Sequence, residues 1–242
     1  MSCSALFCLS EILFPSIQNF LRKLKAHLLP RVKSLLSQDA PSYSENISNP
    51  GTIALPTLDT SDLDKLLFKH DCLYMHNILR INYTTYDVRR KQDTINPRTA
   101  HRDIMVLANN EDDSDHPFLY ARVIGIFHVM MVYTGGTVVD YRPRKLEFLW
   151  VRWFEVDTTA PASSWAHSRL ARLRFPPMAR DDAFGFLDPA DVVRGCHIIP
   201  AFSTQKRYAD GKGLSACAMD SADWRSYHVN RYECTYPPIT PS

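Results

Sequence analysis

HPFLYARVIGIFHVMMVYTGG, residues 116–136, and KLEFLWVRWFEV, residues 145–156, decide the fold of this 242-residue chain. Both runs are apolar and rich in β-branched and aromatic residues. Gly135-Gly136 supplies a turn signal after the first, and Arg142-Pro143-Arg144-Lys145 reads as a short basic loop before the second. The pattern predicts a β-hairpin at the centre of a mainly β domain. In the second strand Phe148, Trp150, Arg152 and Phe154 share one face, and Leu149, Val151 and Trp153 share the other. Both faces are largely apolar, so the strand is expected to be covered on both sides, in a barrel or under a flanking segment. Gly125, inside the first run, predicts a bulge or a close backbone approach.

Upstream of the hairpin, Leu79, Ile81, Tyr83 and Thr85 alternate with Arg80, Asn82 and Thr84, the period of a half-buried strand. Arg89, Arg90 and Lys91 follow, Asn96-Pro97-Arg98 predicts a turn, and residues 104–107 a short buried strand. EDDSD at 111–115 lacks the alternating oxygen positions and later Glu of a calcium loop, and reads as a solvated turn. Downstream, a Pro/Ser/Ala loop covers 158–168, and RLARLRF is stopped by Pro176-Pro177. Asp188 and Pro189 predict a capped helix over 189–194, with Gly195 as its left-handed stop and a strand at 196–199. Residues 205–220 read as a polar loop, 227–232 as the last strand, and ECTYPPITPS as a frayed tail.

At the N-terminal end, Leu13, Ile17, Phe20, Leu21, Leu24 and Leu28 recur at helical spacing. Pro30 is expected to split the region into two helices. Arg22, Lys23, Lys25, Arg31 and Lys33 give this amphipathic arm a basic face, of the kind that is solvated or meets phosphates or an anionic surface. Residues 38–62, rich in Ser, Pro, Asn and Thr, read as a linker. The expected organisation is a helical arm over 1–37, a linker over 38–62, a β-domain over 63–232 and a disordered tail over 233–242.

Six scattered cysteines with no C-x-x-C pair point to reduced thiols. MSCSALFCLSEILF has no basic start and falls short of the ~18 apolar residues of a membrane span. The expectation is an intracellular protein, nuclear or cytoplasmic, with no membrane partner. No metal, cofactor or small-molecule substrate is expected. Cys72 and His76 form the one tight ligand pair, whereas a structural zinc needs two such pairs. G-x-S-x-G and glycine-rich phosphate loops are absent, and Gly211-Lys212-Gly213 reads as a polar turn. Asp181, Asp182, Asp188 and Asp191 read as capping and solvated acids. No catalytic residue is assigned.

At these motifs the chain resembles the bromo-adjacent homology domain, a β-rich chromatin interaction module, over roughly residues 107–232. FLYARVIGIF is similar to that family's opening strand, LEFLWVRWFEV to its signature strand, DPADVVRGCHII to its later short helix and strand, and YHVNRY to its closing strand. The family's Arg-Pro after the W-F pair is replaced here by Glu155-Val156. A longer resemblance, through INYTTYDVRRKQDTINPRT and DAFGFLDPADVVRGCHIIPAF as well, is to the C-terminal region of uncharacterised fungal proteins from mushroom genomes. Those are associated with transposases of the Plavaka and Kyakuja–Dileera–Zisupton type. The resemblance implies a truncated copy or fragment, with the transposase catalytic core lying elsewhere.

The implied fold is a distorted β-barrel with short helices plus the helical arm. The implied function is a non-enzymatic interaction module with a protein partner such as chromatin. Tyr120, Trp150, Trp153, Phe154 and Tyr227 are the aromatic binding candidates, since rings in such readers hold a methylated lysine by cation–π attraction. The same rings, with Tyr133, read first as core, because aromatic side chains dominate core packing. Direct DNA or RNA binding through Arg89, Arg90, Lys91, Arg98, Arg142, Arg144 and Lys145 is the alternative, and an accessory role beside a transposase or nuclease a second one.

Overall fold

The structure, a computed structural model, describes residues 5–8, 20–39, 60–84, 89–108, 117–135, 140–157 and 170–230. Strand β1 spans Ala5–Cys8, helix α1 Phe20–Asp39, helix α2 Thr60–Asp64, β2 Leu66–Phe68, β3 Cys72–His76, β4 Leu79–Thr84 and β5 Arg90–Ile95. Then come β6 Asp103–Leu107, the long β7 Phe118–Tyr133 and β8 Asp140–Trp153, β9 Glu155–Val156 and β10 Arg172–Arg174. The series closes with β11 Phe184–Leu187, β12 Val192–Gly195, β13 Ile198–Pro200 and β14 Tyr227–Val229. The fold is mainly β and antiparallel, with a helix near the N-terminal end. The chain divides into two compact units: Met1–Leu6, Tyr74–Phe127 and Glu147–Ser242 in the first, Phe7–Leu73 and His128–Leu146 in the second. The expected turns and loops at 111–115, Gly136 and 158–168, most of the linker, the tail, and Leu13 and Ile17 lie outside the described residues.

In the first unit β6 is the middle strand. It pairs with β7 from Asp103↔Arg122 to Leu107↔Phe118, and with β12 on its other side. Every side chain of β6 but Leu107 is buried, so it is covered on both faces. Ile104 and Val106 pack with Ala121, Val123, Leu149 and Val151. Met105 packs oppositely, with Tyr120, Phe154, Phe175 and Tyr227. β8 pairs with β7, as the hairpin reading requires, and with β11 from Leu149↔Leu187 to Arg152↔Phe184. Its Phe148, Leu149, Val151 and Arg152 are buried, as is Phe154 just beyond it, which gives the predicted two covered faces. A second sheet runs β13-β14-β10-β9, and β4 and β5 form a two-stranded ribbon.

The second unit carries α1, α2 and β2, the last pairing with the end of β7 from Leu66↔Tyr133 to Phe68↔Met131. Phe20, Leu24, Leu28, Leu29 and Val32 form the buried face of α1, while Leu21 is exposed. Lys33 binds Asp62 at 2.5 Å and Lys65 binds the same carboxylate at 2.9 Å. Lys25 and Lys33 also lie over the rings of Phe68 and Tyr133, at 5.8 and 6.0 Å. Part of the helix's basic character is therefore spent within its own unit.

Five local expectations are corrected. Pro30 does not divide α1, which runs unbroken from Phe20 to Asp39. Pro30 is exposed while Leu28, Leu29 and Val32 around it are buried, so the lost hydrogen bond faces water and apolar packing holds the helix together. Arg142-Pro143-Arg144-Lys145 is not a loop but the outer part of β8, where proline is tolerated if no ladder bond needs its amide. The helix expected over 189–194 is a single 3-10 turn, Pro189–Asp191, that passes directly into β12. Asp188 does cap it, accepting from Ala190 N at 2.9 Å, but Val192 and Val193 are β-branched and extend the chain. Gly195 is accordingly a strand residue rather than a left-handed stop, since Gly211 alone among the described glycines has positive φ. A Cβ at Gly195 would stand 2.9 Å from Ile95 Cδ1, so a larger residue here would have to displace that methyl group. The strand that follows is Ile198–Pro200, not 196–199. At Gly125 the close approach is made by a ring, with Phe127 2.3 Å from where a Cβ would stand.

Candidate functional site

The aromatic candidates separate into two groups. Tyr120, Phe154 and Tyr227 are buried in one cluster. Phe154 stacks on Phe175 with centroids 4.0 Å apart, and Tyr227 stands edge-on to both at 5.5 and 5.6 Å. These rings do enclose a cation, and it is the protein's own. The Arg122 guanidinium lies 5.0 Å from the Phe175 centroid and 5.4 Å from those of Phe154 and Tyr227. Arg152 lies over Phe175 at 3.8 Å. Trp150 and Trp153 are half-buried. The first tilts against Phe184 at 6.1 Å, and the second packs beside the other apolar cluster with its indole over Gly185.

Two carboxylates neutralise the enclosed arginines. Arg122 grips Asp103 with both ends of its fork, Nε to Oδ1 at 2.7 Å and Nη2 to Oδ2 at 3.1 Å. Arg152 Nη1 donates to Asp223 Oδ2 at 2.6 Å, and Arg122 Nη1 stands 3.6 Å from the other Asp223 oxygen. Tyr227 donates its hydroxyl to Asp223 at 3.3 Å and accepts from Trp224 N at 2.9 Å. Arg152 Nε and Nη2 have no hydrogen-bond partner among the described residues, and the guanidinium lies over the ring face of Phe175. Burial alone would lower Arg122, but Asp103 above all, then Tyr227 and Asp223, raise it, so the cation is locked on. Burial pushes the Asp223 carboxyl up against the pull of Arg152 and Arg122, and pushes the Tyr227 phenol up as well. Nearby Arg102 is lowered, first by burial and then by Arg122. Buried Asp220 also loses water, yet the amides of Leu214 and Ser215 and the Tyr208 hydroxyl more than offset that and lower its carboxyl. Among the described residues the charges of this centre are matched by its own carboxylates, an arrangement suited to holding strands together.

The basic candidates are all at the surface, in two places. Arg89, exposed, precedes β5; Arg90 and Lys91 open that strand, also exposed. Arg98 is exposed in the predicted turn, where its N–H donates to Asn96 Oδ1 at 3.0 Å. These four belong to the first unit. Arg142 and Lys145, exposed, and half-buried Arg144 lie on β8 in the second.

The ribbon around the first group has a definite pattern. Leu79, Ile81 and Tyr83 are half-buried and alternate with exposed Arg80, Asn82 and Thr84, as their spacing predicts. The register pairs Arg80 with Thr94, Asn82 with Gln92 and Thr84 with Arg90, so those six residues share one exposed face. Gln92 Nε2 donates to Asn82 Oδ1 at 2.8 Å across it. Asp93, the ribbon's acid, turns to the other face, where it accepts from Gly195 N at 3.1 Å and Arg194 Nε at 3.4 Å. Arg194 in turn stacks on Tyr83 at 4.1 Å. Glu155 binds Arg174 at 2.9 Å and Arg180 at 3.0 Å.

Arg122, Arg152, Asp103, Asp223 and Phe175 were not singled out by sequence, although a basic residue inside ARV and VRW, two otherwise apolar strands, is the visible signal. Arg80, Asn82, Gln92 and Thr94 were missed as a set because their juxtaposition needs the β4–β5 register. Among the described residues no three His, Cys, Asp or Glu side chains gather as a metal site. Cys72, Cys196 and Cys217 form no disulfide among the described residues. No described helix is long and apolar enough to cross a membrane. No family model, curated protein or solved structure matches the chain.

Proposed function

We propose that this chain is a non-enzymatic interaction module, of the transposon-associated fungal type it resembles, that engages chromatin in the nucleus through its surface. The observation that carries this reading is the state of the central rings. Phe154, Phe175 and Tyr227 already surround Arg122, so the chemistry of a cation cage is used internally. A partner then meets exposed strands and turns rather than the centre. The protein component of chromatin is the partner that the resemblance to bromo-adjacent homology modules supports.

Nucleic-acid binding is the second reading, and the ribbon favours it. Arg80, Arg89, Arg90, Lys91 and Arg98 are exposed within one short stretch of chain, and Asp93 is turned away from its outer face. Binding of the full chain to reconstituted nucleosomes, free histones and free duplex DNA, measured in parallel, tests both readings. Retention of histones without DNA supports the protein reading, and retention of DNA alone supports the second. Failure on all three removes the chromatin partner.

A further inference from the structure

We propose that the β4–β5 ribbon is a reading head for duplex DNA that enters the major groove with its Arg80/Asn82/Thr84 and Arg90/Gln92/Thr94 face. The inference rests on the nucleic-acid reading and gives it a groove, a face and a code.

Shape is the first argument. Two antiparallel strands ~4.8 Å apart, with side chains on one face, fit a major groove ~12 Å wide, which admits a two-stranded ribbon. The face runs from the Arg80/Thr94 pair to the Thr84/Arg90 pair. Four residue steps of ~3.4 Å make that about 14 Å, close to four base-pair steps.

Side-chain chemistry is the second. Arginine forks onto the O6 and N7 of guanine, asparagine and glutamine onto the N6 and N7 of adenine, and threonine meets the thymine methyl group. All six residues of the face are of these types, and all are exposed. Arg80 and Arg90 are exposed, and neither is ion-paired to a described residue. The Gln92-to-Asn82 bond fixes the two central amides side by side. It leaves the Asn82 amide N–H groups and the Gln92 carbonyl, a donor beside an acceptor, as adenine's N7 and N6 edge demands.

The same face argues against other occupants. Single-stranded nucleic acids are held by stacking on aromatic side chains, and the face has none. The major groove of an RNA helix is too narrow and deep to take side chains. A protein partner is anchored by buried aromatic or aliphatic residues, which the face also lacks. Arg89 and Arg98, exposed beside the ribbon, are placed to meet the flanking phosphates.

The test is selection of duplexes from a random library by the full chain, followed by anisotropy titrations of the preferred duplex and a scrambled one. Thermal melts confirm that each variant is folded. Arg80→Ala with Arg90→Ala is expected to weaken the preferred duplex at least about tenfold, the scale of lost bidentate base contacts. Asn82→Ala with Gln92→Ala is expected to erase the preference while leaving binding to the scrambled duplex. Binding of duplex DNA that neither pair changes overturns the ribbon and leaves the nucleic-acid reading standing. Tighter binding of RNA or single strands than of any duplex overturns the ribbon likewise. No binding of any nucleic acid at about 50 mM salt, where phosphate contacts are strong, overturns both.

Discussion

Arg122 and Arg152 in the core, and Arg80 and Arg90 on the ribbon, are one residue type in opposite settings within the same unit. The first pair is buried, gripped by Asp103 and Asp223 and faced by rings. The second is exposed and has no described acid partner. Water decides the difference. A guanidinium out of water must be matched by a carboxylate and polarisable surface, or its burial costs several kcal/mol, of order ~3–5 when one partner is removed. One in water needs nothing and stays available. Buried arginines therefore report on how the strands are locked, and exposed ones on what the molecule touches. Cation–π geometry alone does not distinguish the two, since a ring cage around an internal cation resembles one built for a ligand.

The largest break in this comparison comes from uncompensating the core. Asp223→Ala leaves Arg152 without its carboxylate and should cost ~3–5 kcal/mol in urea unfolding. Phe154→Ala, which removes a ring in contact with both Phe175 and Tyr227, should cost ~3–5 kcal/mol by loss of apolar burial. A loss under ~1 kcal/mol for both, below the usual cost of an ordinary core change, would mean that the cluster is not what holds β8, β10 and β14 together. Tyr227→Phe is subtler. It keeps the ring but leaves Trp224 N without its acceptor, for which ~1–2 kcal/mol is expected. Arg80→Ala and Arg90→Ala should each stay within ~0.5 kcal/mol of the parent, as exposed side chains do. A destabilisation there as large as Asp223→Ala would erase the distinction between the two regions.

The legible parts of the fold were those in which periodicity and burial agree. β4 shows its half-buried/exposed alternation residue by residue, and β8 buries both faces as its apolar runs require. Asp188 caps where its position before Pro189 says it should. The misread parts were those in which a local signal met a tertiary one. Pro30 breaks a helix in isolation, but not one whose Leu28 and Val32 are buried on either side of it. Cap signals at Asp188 and Pro189 start a turn without deciding its length, and Val192-Val193 ends it. Asp103 and Asp223 reach their arginines across 19 and 71 positions, separations that no spacing rule covers. The ribbon's face is intermediate: β4 alone exposes Arg80, Asn82 and Thr84, but only the register places Arg90, Gln92 and Thr94 beside them.

A half-exposed pairing in the second unit extends the comparison to its smallest expected effect. Asp62 accepts from Lys33 and Lys65, and these bonds, Lys33's first, lower its carboxyl from 3.8 to about 2. A carboxyl depressed in the folded state contributes stability that is fully present above its unfolded value. That contribution fades as the pH falls from about 4 towards 2 and protonates the folded form. Urea midpoints of the parent and Asp62→Asn should therefore differ at pH 6 and converge by about pH 2. Adding ~1 M salt should shrink the difference at pH 6, because water and ions reach this carboxylate. The same salt should leave the cost of Asp223→Ala nearly unchanged, since its partners are buried. A difference at Asp62 that persists at pH 2 would show that its packing, not its charge, ties α1 to α2.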